Sequence, residues 1–298
     1  MPKVAAIDIG TNSTRLLIAK IEKDQSINPL ATELKTTRLG AGVDKSGYLQ
    51  NEAIIRTVEA LKEYAELIAD YQVEAVRAVA TSAVRDVSNQ QEFINEVKTD
   101  TGIEVEIIDG SREADLSYLG ATKGLDCQLT DDNLVLDIGG GSTEFIFGSE
   151  TEIKEKVSVD VGAVRMTEKE TKLKSRQELI GELLNPVLNK LQGRVKMLLG
   201  VGGTITTLAA VDQQLSPYNP EEVHGYQLEL ERIKRILSDL SAKTIDERKE
   251  VVGLQPERAD IIVAGVRILL EVMDNLNISE ITVSEADILD GLIYDYCK

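Results

Sequence analysis

The chain has 298 residues, of which 42% are apolar and 28% are charged, and its formal net charge at pH 7 is −18. This composition excludes an intrinsically disordered protein, and the length suits two domains of roughly 100–200 residues each. The acidic charge excludes a broad surface for duplex nucleic acid, which needs clustered lysine and arginine. An anionic ligand must instead be attracted by backbone dipoles, a few arginines or a metal ion.

Cys127 and Cys297 are the two cysteines, and His224 is the sole histidine. This usage excludes a disulfide framework and a structural zinc site, and it argues against a Ser-His-Asp triad, so we expect His224 to be structural. The N-terminal apolar stretch contains an aspartate, unlike a secretory signal. The longest apolar run, 261–273, is interrupted by Arg267 and is too short to span a bilayer. We therefore expect a cytoplasmic protein with no membrane partner.

Two segments of the chain repeat one pattern, since D-I-G-x-x-S-T occurs at residues 8–14 and again at 137–143. In each copy a β-prone apolar run enters a turn rich in glycine and hydroxyl residues, and a second β-prone run leaves it. The wide spacing of the copies favours two related domains over a solenoid, whose repeats are far shorter. We predict one hairpin in each domain, with strands at 4–9 and 14–21 and at 134–138 and 143–147.

Helices and strands alternate along the rest of the chain. This order predicts an α/β protein of two domains, 1–125 and 126–298, with a last helix at about 286–298 that packs back on the first domain. Ser175 and Glu178 have the spacing of a capping box, and Pro256 suits the first position of a helix. The predicted helices are 52–70, 89–100, 111–124, 175–191, one that follows 202–204, 256–276 and 285–296, and the predicted strands are 73–80, 103–108, 195–201 and 281–284.

Both predicted hairpin turns have the composition of a phosphate-binding loop: Gly10-Thr11-Asn12-Ser13 in the first, and Gly139-Gly140-Gly141-Ser142, followed by Thr143, in the second. Glycine lets a ligand approach the backbone, and successive N–H groups in such a turn form a nest for an anion. A plain tight hairpin is the alternative, but the recurrence of glycines and hydroxyls after an aspartate favours phosphate binding. No Gly-Lys pair exists for a Walker A loop, and a strand follows the glycines, which excludes a dinucleotide-binding turn.

Three acidic residues, Asp8, Asp137 and Glu144, flank these turns. A carboxylate beside a phosphate is repulsive unless a hard cation lies between them, and Mg²⁺ suits a site of one or two carboxylates with phosphate oxygens. The alternative is that these acids only cap backbone N–H groups in the turns. We expect them to coordinate Mg²⁺ or its bound water.

Two further candidates lie between the turns. Arg85 follows the buried strand that ends near residue 80, and ligands of α/β proteins gather at the carboxyl ends of strands. There an arginine binds phosphoryl oxygens in a bidentate manner, although a surface pair with Asp86 is the alternative. Glu113 lies in the first turn of a predicted helix, a position that the helix dipole favours for any acid, so its spacing alone does not make it catalytic.

Ordered motifs along nearly the whole chain resemble the exopolyphosphatase / guanosine pentaphosphate phosphohydrolase (Ppx/GppA) family. They are AAIDIGTNSTRLLIA at 5–19, ATSAVRDVSN at 80–89, EIIDGSREADLSYLGA at 106–121, LDIGGGSTEFIFG at 136–148, GVGGTITTLAAV at 200–211, PERADIIVAG at 256–265 and VSEADILDGLI at 283–293. The family lies in the actin-like ATPase superfamily. The resemblance therefore implies a short, two-domain member with two ribonuclease-H-like domains that face an interdomain cleft and close on the ligand.

The resemblance also implies roles for individual residues. The family's catalytic glutamate falls on Glu113, its metal- and water-organising acids fall on Asp137 and Glu144, and its first-domain arginine falls on Arg85. The family commonly has an acid where this chain has Arg112. The turn Gly202-Gly203-Thr204 is similar to the adenosine-side motif of the superfamily's kinases, and we include it among the phosphate-binding candidates.

The implied function is that of an exopolyphosphatase, which hydrolyses the terminal phosphoryl group of inorganic polyphosphate with Mg²⁺ and releases orthophosphate. Guanosine pentaphosphate is an alternative substrate for the same site. Phosphoryl transfer from polyphosphate to ADP and a non-catalytic phosphate sensor stay open, although the complete set of Glu113, Asp137 and Glu144 argues against the sensor. A homodimer is one assembly that the sequence leaves open.

Overall fold

The computed structural model describes residues 2–125, 129–169 and 175–298. The chain folds into two compact units, of which the first is Met1–Gly120 with Ile288–Lys298 and the second is Ala121–Asp287. Cys127 lies outside the described residues, and Cys297 is a free thiol. Within the described ranges, no helix is both long and apolar enough to cross a membrane.

The first unit contains five strands, which are β1 (Lys3–Ile9), β2 (Thr14–Ile21), β3 (Ile27–Lys35), β4 (Ala75–Ala80) and β5 (Val105–Ile107). The helices of this part of the chain are α1 (Val43–Ser46), α2 (Asn51–Asp70), α3 (Ser82–Arg85), α4 (Gln90–Thr101) and α5 (Gly110–Gly124). The sheet order is β3-β2-β1-β4-β5, with β1, β2 and β3 antiparallel and β4 and β5 parallel to β1. This is the ribonuclease-H-like arrangement expected from the sequence.

The second unit repeats that arrangement. Its strands are β6 (Asn133–Ile138), β7 (Thr143–Gly148), β8 (Ile153–Val159), β9 (Met197–Val201), β10 (Gln227–Glu229) and β11 (Glu280–Val283), in the order β10-β11-β9-β6-β7-β8. Its helices are α6 (Ala163–Glu168), α7 (Arg176–Leu191), α8 (Gly203–Gln213), α9 (Pro220–Val223), α10 (Leu230–Ala242), α11 (Ile245–Lys249) and α12 (Ile262–Leu276). The strands β8, β7, β6, β9 and β11 thus correspond to β3, β2, β1, β4 and β5, and the predicted α/β fold class is confirmed.

The last helix, α13 (Ile288–Tyr296), belongs to the first unit, and the burial pattern of β1 explains why. Ala5 and Ile7 pack on one face of the sheet with α2 and α4, whereas Val4 and Ala6 pack on the other with Leu292 of α13. A strand that is buried on both faces needs a helix on each, and it reads as a continuous apolar run. Burial of each large aliphatic side chain contributes about 1.5–3 kcal/mol.

The predicted capping box is confirmed at the start of α7. The Ser175 hydroxyl oxygen accepts a hydrogen bond from the Glu178 amide at 3.2 Å, and the Ser175 amide donates to Glu178 Oε2 at 2.6 Å. The strands β3 and β8 were not predicted, because they are largely exposed and lack a run of apolar residues. The helix α10 was also not predicted, although its amphipathic pattern carries a signal for it.

The predicted helix at 256–276 is wrong in its first part. Pro256–Arg258 forms a single 3₁₀ turn, and α12 begins only at Ile262. The turn buries Ala259 completely and brings the guanidinium of Arg258 against the backbone of Gly203. Pro256 occupies the first position of this turn, so the predicted helix start is met by a 3₁₀ turn, and the α-helix begins six residues later.

His224 has a structural role within the second unit, as expected. Its Nδ1 accepts a hydrogen bond from the Glu285 amide at 3.1 Å, and its Nε2 lies 3.1 Å from the Gly124 carbonyl oxygen. These contacts assign the proton to Nε2, because a neutral imidazole has one donor and one acceptor. Both ring nitrogens therefore bind backbone groups of segments that are far apart in sequence.

Candidate functional site

The two glycine turns, one in each unit, are closed by the same hydrogen bond. The Gly10 amide donates to the Ser13 carbonyl oxygen at 3.0 Å, and the Gly139 amide donates to the Ser142 carbonyl oxygen at 3.0 Å. The sequence repeat is therefore also a repeat of backbone conformation.

In the first turn, the carbonyl groups bind the segment that follows β3. The carbonyl oxygen of Thr11 accepts from the Gly40 amide at 2.9 Å, and that of Asn12 accepts from the Arg38 amide at 2.8 Å. Within the described part of the chain, no hydrogen bond uses the N–H groups of Thr11, Asn12 or Ser13. The carbonyl groups of Thr11 and Asn12 are thus hydrogen-bonded within the unit, whereas the three N–H groups are available to donate to a ligand.

The second turn is held in the same way by the start of α6. The carbonyl oxygen of Gly140 accepts from the Val164 amide at 2.9 Å, and that of Gly141 accepts from Arg165 Nε at 2.7 Å. Across the described ranges, the N–H groups of Gly140, Gly141 and Ser142 make no hydrogen bond. Three consecutive free donors in a turn form an anion-binding nest.

Gly162 allows α6 to approach the second turn this closely. A Cβ atom at Gly162 would lie 2.4 Å from the carbonyl oxygen of Gly140. Any larger residue would separate the turn from the helix that engages its carbonyl groups. The glycine is therefore required by a close approach of two backbones.

The side chains of the turns differ in what they offer a ligand. The Asn12 side chain is 7% exposed, and its amide nitrogen has no hydrogen-bond partner among the described residues. A buried donor without a partner is costly, so this nitrogen is available as a donor to a bound group. The Thr143 hydroxyl, in contrast, donates to the Val161 carbonyl oxygen at 2.5 Å. Its proton is therefore used in a hydrogen bond within the fold and not offered to a ligand.

The acids beside the turns lie in two equivalent positions with different partners. Asp8 is paired with Arg15 across β1 and β2, and Arg15 Nη2 and Nε lie 2.7 and 3.1 Å from Asp8 Oδ2. At the same positions of β6 and β7, Asp137 is paired with Glu144. Directly opposite residues project to one face, so the second unit has two adjacent carboxylates where the first has an ion pair.

The two opposite carboxylates of the second unit fit the requirements of a magnesium ion. No group of three or more His, Cys, Asp and Glu side chains with the arrangement of a metal site occurs in the described ranges. Mg²⁺ does not need such a group, because it binds one or two carboxylates and completes its shell with water and phosphate oxygens. Asp137 and Glu144 supply that donor set, whereas the carboxylate of Asp8 already has a cationic partner in Arg15.

The structure brings Arg85 and Glu113 together in the first unit. Arg85 Nη1 lies 3.3 Å from Glu113 Oε2, and its Nε lies 3.4 Å from Asp86 Oδ1, so the two alternatives for Arg85 coexist. Glu113 is 9% exposed and lies in the first turn of α5. The guanidinium and the helix dipole both favour the ionised form of this buried carboxylate.

Gly202 holds Asp137 close to the start of α8. Its φ is +87°, and a Cβ atom there would lie 2.8 Å from Asp137 Oδ1. The position therefore needs glycine for two reasons, its left-handed backbone and the adjacent carboxylate. In this way the Gly202 turn contributes to the site by fixing an acid.

The rest of that turn packs inside the second unit. The guanidinium of Arg258 lies against the backbone of Gly203, where a Cβ atom would be 2.0 Å from Nη1. Thr204 is buried against Gly265 of α12. No role was predicted for Arg15 or Arg258. The sequence does carry a signal for Arg15. Asp8 precedes the first turn by as many residues as Arg15 follows it, so a hairpin places the two opposite each other.

The family model of the Ppx/GppA phosphatases matches residues 17–298. The chain belongs to this family. It is 36% identical to exopolyphosphatase 2 of Mycobacterium tuberculosis, with 98% of each chain covered. It is also 37% identical to a bifunctional 3-dehydroquinate synthase/phosphatase of Fusobacterium nucleatum, over 98% of this chain but only 46% of that protein.

Solved structures of Ppx/GppA proteins share the fold. A family member from Aquifex aeolicus is 34% identical, with a TM-score of 0.83 over 99% of this chain and 97% of that chain. An exopolyphosphatase from Cytophaga hutchinsonii is 32% identical, with a TM-score of 0.90 over 99% of this chain and 97% of that chain. The resemblance seen in the sequence is confirmed, and the chain is a member of a phosphatase family.

Gly162→Ala should weaken the binding of inorganic triphosphate. Its new methyl group displaces the second turn, and the loss of one hydrogen bond to a charged ligand, about 1.5–3 kcal/mol, corresponds to about 10–100-fold in affinity. Calorimetry measures the affinity. Gly193→Ala is the control, since a Cβ there would have nothing within 4 Å; its φ of +73° strains alanine, so thermal unfolding checks that both variants are folded. Equal triphosphate affinity in the two variants would contradict this role of Gly162.

Asp137→Asn should lower the affinity for Mn²⁺ about tenfold or more, because it removes one of two adjacent carboxylates. Asp8→Asn is the matched variant at the equivalent position and should stay within about twofold of the parent, since Asp8 pairs with Arg15. Electron paramagnetic resonance of free Mn²⁺ measures both. Similar losses in the two variants would show that the units do not differ in this way.

Proposed function

We propose that this protein hydrolyses the terminal phosphoryl group of inorganic polyphosphate, with Mg²⁺, and releases orthophosphate. The observation that carries the proposal is the pair of matching turns. Each turn has three backbone N–H groups for which no described group is the hydrogen-bond acceptor. The exopolyphosphatase name of the Mycobacterium tuberculosis relative, which matches over 98% of both chains, supports it.

The recognition chemistry favours a polyphosphate. Backbone N–H groups and an arginine bind the oxygens of any phosphoryl group and do not read a base or a sugar. These N–H groups and the arginine suit inorganic polyphosphate, whose units are all phosphoryl groups. Because the protein has a net charge of −18, binding of this polyanion depends on such local donors. Guanosine pentaphosphate carries the same terminal anhydride, so it is a second substrate for the same groups.

In the proposed reaction, water attacks the terminal phosphorus and the bond to the bridging oxygen breaks. Glu113 orients the water and accepts its proton, a role that typically contributes about 10²–10⁴-fold. Arg85 and the turn N–H groups hold the phosphoryl oxygens, whose charge they stabilise as the bond breaks. Mg²⁺, when bound by Asp137 and Glu144, neutralises phosphate charge.

The ion pair with Arg85 supports the assignment of Glu113. Arg85 Nη1 lies 3.3 Å from Glu113 Oε2, which favours the ionised carboxylate that a general base requires. Phosphoryl oxygens compete for the same guanidinium, so a bound substrate shares Arg85 with the base. This links binding of the terminal phosphoryl group to the position of Glu113.

A phosphate-release assay tests the function. Long polyphosphate, short polyphosphate and guanosine pentaphosphate are compared with and without Mg²⁺, and ADP is added in a parallel reaction. We expect orthophosphate from polyphosphate only with Mg²⁺, and no ATP. Release from guanosine pentaphosphate alone would assign the second substrate, ATP formation would indicate a phosphotransferase, and binding without release would indicate a sensor.

Glu113→Gln should reduce turnover about 10²–10⁴-fold, because glutamine cannot accept a proton, while the affinity for polyphosphate stays within about threefold. Glu106→Gln, on the exposed edge of β5, is the control and should match the parent. Steady-state phosphate release and equilibrium binding measure the two effects. Turnover near the parent value in Glu113→Gln would overturn the assignment of the base.

A further inference from the structure

A third polar residue continues the row of carboxylates in the second unit. Asp137 on β6 is opposite Glu144 on β7, and Glu144 is in turn opposite Ser158 on β8. Opposite residues of antiparallel strands project to the same face, so the three side chains are neighbours. The Ser158 hydroxyl lies 2.7 Å from Glu144 Oε1.

The direction of this hydrogen bond follows from the chemistry of the pair. Glu144 is 1% exposed, and an ionised carboxylate only accepts hydrogen bonds, so Ser158 donates. A hydrogen bond to a charged acceptor is stronger than one between neutral groups. It restricts the rotamer of Glu144 and engages Oε1.

The equivalent row in the first unit provides an internal comparison. There Asp8 is opposite Arg15, and Arg15 is opposite Leu34 on β3. The edge strand β3 therefore has a leucine opposite an arginine, whereas the edge strand β8 has a serine opposite a glutamate. An edge strand at this position thus does not need a hydroxyl to fold, and the hydroxyl occurs in the unit where the neighbouring residue is an acid.

We propose that Ser158 is a positioning residue of the phosphatase site. Its hydroxyl fixes the carboxylate of Glu144 beside that of Asp137, so that the pair presents one arrangement of oxygens to a divalent cation. Groups that orient metal-binding side chains in this way typically contribute about 10–100-fold to metal affinity or activity. The role of the cation in turnover rests on the proposed function, whereas cation binding itself does not.

The test compares the parent protein with Ser158→Ala and Ser158→Thr. Thr151→Ala is the control, since it removes a hydroxyl from the β7–β8 connection and not from Glu144. Free Mn²⁺ is titrated by electron paramagnetic resonance without substrate, and phosphate release from polyphosphate is titrated with Mg²⁺. Thermal unfolding of each variant checks that it is folded.

Ser158→Ala should bind Mn²⁺ about 10–100-fold more weakly and need correspondingly more Mg²⁺ for half-maximal release. Ser158→Thr keeps the hydroxyl and should restore both values to the parent level. A folded Ser158→Ala with parent values, or a folded Ser158→Thr as weak as alanine, overturns the proposal, and so does a parent that binds no Mn²⁺. A parent that binds Mn²⁺ but releases no phosphate defeats the proposed function, and the Mn²⁺ titrations then decide the role of Ser158.

Discussion

The hydrogen bonds that engage the carbonyl groups of the two glycine turns are the constraint on which the rest of the site depends. In the first turn the segment after β3 donates to Thr11 and Asn12, and in the second the start of α6 donates to Gly140 and Gly141. Each set of contacts holds the peptide planes so that their N–H groups are left for a ligand. The conformation of each turn therefore depends on tertiary contacts of its carbonyl groups and not on its glycines alone.

A common framework carries different charges in the two units. The aspartate before each turn has an opposite partner across the hairpin, which is Arg15 for Asp8 and Glu144 for Asp137. An arginine neutralises its aspartate within the fold, whereas two neighbouring carboxylates repel each other unless a cation is bound. The duplicated hairpin therefore holds an aspartate–arginine pair in one unit and a pair of carboxylates in the other.

The sequence predicted the repeated hairpins, the helix at 52–70 and the capping box at Ser175, because each has a local signal in period, composition or spacing. The edge strands β3 and β8 were missed, since exposed strands lack an apolar run. The helix predicted from Pro256 began too early, because the proline starts a 3₁₀ turn and the α-helix begins six residues later. The assigned roles of the site residues stay predictions. The ion pair of Asp8 with Arg15 and the hydrogen bond from Ser158 to Glu144 depend on which residues of neighbouring strands lie opposite each other, and local period and composition do not specify this pairing.

The central claim is that the N–H groups of both turns bind phosphoryl oxygens. Amide NMR of the ¹⁵N-labelled protein, titrated with inorganic triphosphate without Mg²⁺, measures this directly. We predict that the amide resonances of six residues shift saturably: Thr11, Asn12, Ser13, Gly140, Gly141 and Ser142. Saturable binding of triphosphate that leaves these six resonances in place and shifts others would contradict the account.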